Sequence, residues 1–326
     1  VRVSEPLDAD ITRAARILRD GGLVAFPTET VYGLGADASS PDALRRLYRV
    51  KGRPADHPVI VHLGSVGQLG DWAGRVPPSA RHLADACWPG PLTLVLERST
   101  RVPDEATGGR PTVGLRVPDQ PVALALLRAF GGGVAAPSAN RFGRVSPTTA
   151  DDVRADLGED VDLVLDGGAC RVGVESTIVD CSRDEPVVLR LGGVARERVE
   201  DILGHSVAVV ADGAVAAPGT LPTHYAPLVR VLVIDAGALA PAIAAEIAQG
   251  RRVGVLASKL PDDLPDEAVV VGAPVDADEY ARSLYAMLRA ADAAPVDVLL
   301  AVPPPELGIG AAVADRLRRA AGKRDS

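Results

Sequence analysis

Apolar and polar positions along the first two hundred residues alternate between two periods. Ile11, Ala14, Ala15 and Leu18 recur at helical spacing, and Gly21-Gly22 closes that helix. The run "LVAF" follows as a buried strand ending at Pro27. Ser40-Pro41 joins a capping hydroxyl to a proline at the first helical position, opening a helix with Leu44, Leu47 and Tyr48 inward. Short apolar runs then dominate: "PVIVHL", "LTLVL", "VGLRVP", "GVAAPS", "VDLVLDGG", "STIVD" and "PVVLRL" each predict a strand. These are too many strands for a simple doubly wound sheet, so the pattern predicts a large, twisted, mixed α/β sheet.

From Gly213 the pattern fades. "GAVAAPGTLPTHYAPLV" carries three prolines and almost no periodicity, which reads as an extended linker. Beyond it come "VRVLVID", a helix near Ala238 to Gln249, "RRVGVLAS", "AVVVG" and a long helix. That helix sets Tyr280, Leu284, Met287 and Leu288 on one face. "VDVLLAVP" and a last helix from about Ala311 complete a smaller Rossmann-like parallel α/β domain. The expected organisation is a mixed-sheet domain over residues 1–211, a linker over 212–228 and the parallel domain over 229–326. The length of 326 residues fits two domains.

Composition narrows the function classes. Apolar residues make up 47% of the chain but aromatics only 3%, so both cores rest on Val, Leu and Ala. A net charge of −8 argues against a protein that coats nucleic acid, while leaving room for a small basic pocket. Cys87, Cys170 and Cys181 share no CxxC spacing, so buried thiols in a reducing compartment are expected rather than disulfides or zinc. With no apolar run of membrane length and no signal-peptide core, the expectation is a soluble cytoplasmic protein with no membrane partner.

Two residue types are scarce in an informative way. Asn140 is the sole asparagine, and only Lys51, Lys259 and Lys323 of the 35 basic residues are lysines. Asn140 lies in "PSAN" and Lys51 in "KGRP", both polar segments flanking strands, which points to positions where no substitute serves. The familiar nucleotide, zinc-protease and serine-hydrolase motifs are missing, and His82 and His205 read as ordinary helical residues. What remains is polar residues at strand ends. Thr28, Glu29 and Thr30 follow a strand. His62 faces away from Val61, and Thr112 and Arg116 share a strand face. Ser176 and Arg190 close two further runs. Lys51, Arg53, Arg116 and Arg190 with several hydroxyls and no obvious nucleophile suit an anionic, polyphosphate-bearing ligand. Chemistry there rests on positioning and charge stabilisation.

Together these motifs resemble the YrdC-like family, and within it the two-domain threonylcarbamoyl-AMP synthases. "FPTETVYGLG", "KGRP…HPVIVH", "PGPLTLVL", "TVGLRVP", "PSAN…G", "ESTIVD", "LRLGG" and "PGTLPTHYAP" occur in the family's order. The resemblance implies a YrdC-like domain followed by the smaller parallel one. It also implies an enzyme that uses ATP, L-threonine and bicarbonate to form threonylcarbamoyl-AMP and pyrophosphate, with Mg2+ carried on the ATP phosphates. A separate threonylcarbamoyl transferase complex then modifies tRNA, and a weak tRNA or double-stranded RNA contact is a further expectation. By matching motifs, Thr30, His62, Thr112, Arg116, Ala136 and Ser176 fall on the threonine side. Lys51, Arg53, His57, Ser138, Asn140, Ser146, Arg190 and Tyr225 fall on the ATP side, with Lys51 and Arg53 serving the chemistry and the linker acting as a lid. His57 stands where the family commonly has asparagine, and "TLPT" replaces a more basic stretch. The rival is a non-catalytic module that binds structured RNA, which the acidic balance and scarcity of stacking aromatics disfavour.

Overall fold

The computed structural model describes residues 5–210 and 225–322. It divides into two units, Val1–Phe142 with Ser146–Thr220, and Gly143–Val145 with Leu221–Ser326. Of the linker expected at 212–228, residues 212–224 lie outside the described residues.

In the first unit the strands are β1 (Val24–Phe26), β2 (Gly33–Asp37), β3 (Ile60–His62), β4 (Leu92–Glu97), β5 (Thr112–Arg116), β6 (Val134–Ala135), β7 (Leu163–Val164), β8 (Thr177–Asp180) and β9 (Val187–Arg190). They form one mixed sheet in the order β7-β1-β2-β6-β3-β5-β4-β8-β9. The helices are α1 (Glu5–Arg19), α2 (Pro41–Lys51), α3 (Leu69–Trp72), α4 (Pro78–Cys87), α5 (Asp104–Thr107), α6 (Pro121–Phe130), α7 (Ala150–Leu157) and α8 (Arg196–Leu203). Ser40 caps α2 as its sequence predicts, and Gly52 ends it in the left-handed region at φ 63°. The apolar set of α1 is buried together with Val122, Leu126 and Leu127 of α6. His82 is helical, in α4, whereas His205 departs from expectation by following the glycine that ends α8.

One strand escapes the pattern. β2, "GLGAD", has too little side chain to read as a strand, yet it pairs with β1 and β6. A Cβ on Gly35 would sit 2.9 Å from both Phe26 Cε1 and Val134 Cγ1, so close packing of neighbouring side chains demands the glycine.

The second unit has β10 (Arg230–Val233), β11 (Val253–Leu256), β12 (Ala268–Gly272) and β13 (Val298–Ala301) in an all-parallel sheet ordered β10-β13-β11-β12. α9 (Leu239–Ala248) packs Leu239 and Ile243 on Val253, Val255, Val298 and Leu300. α10 (Ala277–Ala293) buries Tyr280, Leu284, Met287 and Leu288, the face its periodicity marks, and packs against α11 (Gly310–Ala320). No helix among the described residues is long and apolar enough to cross a membrane.

Candidate active site

Side chains alternate across a strand, and in the first unit this alternation separates a core face from a polar one. Val61, Leu94, Val113, Leu115 and Val179 enter the main core. Their neighbours Ile60, His62, Thr93, Thr112, Gly114, Arg116 and Ile178 therefore face the other way. Over β1 and β6 that second face is covered by α1 and α6. From β3 to β9 its apolar cluster of Ile60, Ile178 and Leu189 contains no helical residue. Of the candidates, His62, Thr112, Arg116, Ser176 and Arg190 lie along this stretch, and others reach toward it from neighbouring turns.

The turn after β1 fixes one end. Thr28 Oγ1 accepts from Thr30 N and Val31 N, both at 3.2 Å, and donates to Val31 O at 2.6 Å. With that proton committed, Thr30 is the donor in the 2.8 Å contact between the two threonine hydroxyls. Thr30 Oγ1 also accepts from Arg116 Nη1 at 3.0 Å, so it meets a ligand as an acceptor. Arg116 donates through Nε to Gly90 O at 3.2 Å and sets Nη2 2.8 Å from Glu29 Oε1, an ion pair with side chains 4% and 0% exposed. His62 is the register partner of Arg116 on β3. Burial first, and then the Arg116 cation, push its pKa down to about 3, which leaves a neutral imidazole. Its Nδ1 is buried and has no hydrogen-bond partner among the described residues, as expected where a ligand completes the set.

The two scarce residue types meet. Lys51 Nζ donates to Ser138 O and, at 2.6 Å, to Asn140 O, while Lys51 O accepts from Phe142 N at 2.8 Å. Asn140 Nδ2 donates to Arg141 O at 2.9 Å. The turn that holds Asn140 continues β6: Leu34 N donates to Pro137 O and Ala139 N to Tyr32 O, both at 2.8 Å, which sets it beside the segment carrying Thr30. Lys51 is buried; desolvation and then Arg53 pull its pKa well below the ordinary lysine value, with Asp156 opposing. Arg53 donates to Pro58 O at 2.8 Å and lies over the Phe142 ring, 5.6 Å from its centroid. The His57 ring stands edge-on to the same phenyl ring at 5.6 Å, and burial followed by Arg53 lowers its pKa.

A third group forms at β8 and β9. Ser146 Oγ donates to Glu175 Oε1 at 2.8 Å. Ser176 Oγ accepts from Arg190 Nη2 at 3.1 Å and meets Thr93 Oγ1 at 2.8 Å. Arg190 also holds Ser176 O through Nε and Nη2, at 3.1 and 2.8 Å. Gly192 permits this approach, since a Cβ there would be 2.3 Å from Glu175 O.

Not every candidate joins these groups. Thr112 lies toward the far end of the same face, lining a cavity of about 310 Å³ with Thr93, Gly114, Ile60, Ile178 and Leu189. Ala136 commits its N–H to Ile60 O at 2.9 Å, so a backbone contact with a ligand falls to its carbonyl. Tyr225 belongs to the second unit, at φ 61°, stacked on Tyr285 at 5.6 Å and 5.2 Å from the Arg316 guanidinium. Sequence reasoning named Glu29 among the polar residues after β1 without giving it a role, and passed over Thr93 and Glu175. The available signal was a polar residue interrupting an apolar run, as Thr93 does in "LTLVL".

Comparison with known proteins identifies the arrangement. A family model described as "Telomere recombination" matches residues 16–192, and one described as "Threonylcarbamoyl-AMP synthase, C-terminal domain" matches residues 194–322. The threonylcarbamoyl-AMP synthase of Pyrococcus abyssi is 42% identical over 95% of this chain and 94% of its own. The chain belongs to the threonylcarbamoyl-AMP synthase family. A Bacillus subtilis threonylcarbamoyl-AMP synthase is 40% identical, covering 97% of this chain and 94% of the relative. Among solved structures, P. abyssi Sua5 complexed with L-threonine superposes with a TM-score of 0.90 and 41% identity, across 98% of this chain and 96% of that one. The threonylcarbamoyl-AMP synthase resemblance first seen in the motifs thus spans both units.

Proposed function

We propose that the protein is an L-threonylcarbamoyladenylate synthase, a nucleotidyltransferase of the cytoplasm that forms threonylcarbamoyl-AMP and pyrophosphate from ATP, L-threonine and bicarbonate. The observation that carries this reading is the buried Thr30–Arg116 contact beside neutral His62, on a sheet face that also holds Ser176 and Arg190. Such a set takes a small amino acid: Arg116 meets the carboxylate, and the hydroxyl and imidazole groups meet the remaining polar atoms. The L-threonine bound to the P. abyssi relative supports the choice of amino acid. The adjoining cavity, with its apolar floor of Ile60, Ile178 and Leu189, suits the nucleoside of ATP.

Threonine's amine, once neutral, adds to CO2 derived from bicarbonate and gives a carbamate. A carbamate oxygen then attacks the α-phosphorus, a P–O bond forms, and pyrophosphate leaves with the electrons of the broken bond. Lys51 and Arg53 stabilise the charge that builds on the phosphates. An arriving polyphosphate favours the charged form of Lys51, which burial otherwise disfavours. Mg2+ suits this reading as an ion carried by the phosphates. The described residues hold no cluster of three His, Cys, Asp or Glu that could bind a metal. The hard oxygens of Ser146 and Glu175, 2.8 Å apart, are the protein donors suited to it. Bound there, Mg2+ would neutralise phosphate charge. A separate transferase complex consumes the product. The deciding assay is pyrophosphate release from ATP: the reading requires dependence on both threonine and bicarbonate, and release without either overturns it.

A further inference from the structure

Glu29 is the most buried carboxylate beside the amino-acid end of the site, and the reaction as written gives it no part. Its side chain is 0% exposed. Its backbone carbonyl is fixed by Val172 N at 2.8 Å, and the flanking hydroxyls of Thr28 and Thr30 are locked in the turn. Glu29 Oε1 lies 2.8 Å from Arg116 Nη2 but out of line for a hydrogen bond, and neither carboxylate oxygen has a hydrogen-bond partner among the described residues. A buried charge on this scale is retained only where it answers another charge. The answering charge is Arg116, whose Nε is tied to Gly90 O and whose Nη1 is tied to Thr30 Oγ1.

We propose that Glu29 is a positioning residue for amino-acid capture: it holds the Arg116 guanidinium in one orientation and cancels its charge. This rests on the reading of Arg116 as the carboxylate partner. With Nε tied to Gly90 O, Nη1 tied to Thr30 Oγ1 and Nη2 drawn toward Glu29, the guanidinium plane is fixed from two separate segments of the chain, the Glu29–Thr30 turn and Gly90. The Nη2 N–H groups are not aligned on Glu29, and they remain to meet a carboxylate. The charge balance carries a second consequence. A lone buried cation would attract any small carboxylate, whereas a Glu–Arg pair is neutral overall and favours a ligand that brings both signs, as an amino-acid zwitterion does.

The test is a kinetic cycle of Glu29→Gln, Arg116→Gln and the double variant, with threonine and ATP varied separately. For Glu29→Gln the expected result is a KM for threonine raised about tenfold or more, the scale of a charge-assisted contact. Its KM for ATP should stay close to wild type, and kcat at saturating threonine should fall far less than KM rises. Competitive inhibition by 3-hydroxybutyrate, which lacks the amine, should strengthen relative to threonine binding. The double variant should be no worse than Arg116→Gln, since Glu29 acts through the arginine. If Glu29→Gln fails to fold, Glu29→Asp keeps the charge while shortening the reach, and should show the same rise in threonine KM to a smaller degree. An unchanged threonine KM in Arg116→Gln sinks the carboxylate reading itself. A raised KM in Arg116→Gln with full threonine affinity in the Glu29 variants, or additive effects in the double variant, overturns the positioning role alone.

Discussion

Lys51 Nζ and the carbonyl oxygen of Asn140 lie 2.6 Å apart, joining the one lysine of the catalytic unit to the one asparagine of the whole chain. The ammonium group bridges the backbone of the Ser138–Asn140 turn, since Ser138 O accepts from it too. Lys51 Nζ thus shapes the turn, and on the proposed reading the same nitrogen presents positive charge to phosphate. Arginine suits neither role, because its planar fork cannot act as a compact point charge with rotatable donors.

Replacing Lys51 with alanine should nearly abolish pyrophosphate formation, lowering kcat more than it raises the KM for ATP. It should also lower the melting temperature, since the buried Asn140 carbonyl loses its lysine donor at about 1–3 kcal/mol, whereas Ser138 O keeps Asn140 N at 3.0 Å. Lys51→Arg should be comparably inactive. Wild-type turnover in either variant would remove Lys51 from the chemistry.

Asn140→Asp makes a separate prediction. The amide nitrogen donates to Arg141 O at 2.9 Å, and a carboxylate there sets acceptor against acceptor in a position 1% exposed. It also adds negative charge beside a phosphate site. ATP binding should weaken at least tenfold, about 1.4 kcal/mol, while threonine binding in the absence of ATP changes little. Calorimetric titration of the two ligands separates these effects, and equal losses for both would contradict the assignment to the nucleotide side.

α1, α2, the three helices of the second unit, eight of the strands in the first unit and the parallel second sheet were readable from apolar runs and periodicity, whereas short helices such as α3 and α5 have too few turns to show a period. β2 was not, because "GLGAD" takes its conformation from Phe26 and Val134 rather than from its own side chains. At the site, scarcity singled out Lys51 and Asn140, but their bond spans 89 positions and depends on β6 extending along β2. Glu29 showed as a polar residue after a strand, but its role was hidden for the same reason, since its partner Arg116 lies on a distant strand. Local patterns gave the residues, and only the pairing of strands gave their partners.

On the proposed reading, amino-acid choice follows from the hydroxyls near Arg116. Thr30 Oγ1 gives its proton to Thr28 and is left an acceptor, Ser176 is tied to Arg190, and Arg116 would meet the carboxylate. A pocket built to bond a hydroxyl rejects analogues that lack it far more strongly than it rejects the loss of one methyl, which costs only ~1–3 kcal/mol. Serine should be a poor substrate, and valine or 2-aminobutyrate much poorer still. Initial rates of pyrophosphate release with each amino acid check this, and valine turning over as fast as threonine would overturn the pocket assignment.

His62 gives a pH signature. In the folded protein it stays neutral down to about pH 3, held there by burial and then by Arg116, whereas in the unfolded chain it takes up a proton near the ordinary value of 6.5. Between those limits the unfolded state binds the extra proton, so stability rises with pH across the window and is lost as pH falls through it. One proton contributes at most about 1.4 kcal/mol per pH unit. His57, also lowered by burial and then by Arg53, adds in the same direction. Carboxylates with lowered pKa values, such as Asp162, Asp315, Glu246 and Glu306, also lose stability toward the acid end, so His62 is read from the difference between wild type and a His62 variant rather than from the slope alone. Melting temperatures measured from pH 4.5 to 7.5 should fall with acid more steeply in the wild type than in His62→Gln, which has no proton to gain. Parallel curves for the two proteins would mean that His62 is not held neutral by burial beside Arg116, and its place as an uncharged hydrogen-bonding group at the threonine end would fall with it.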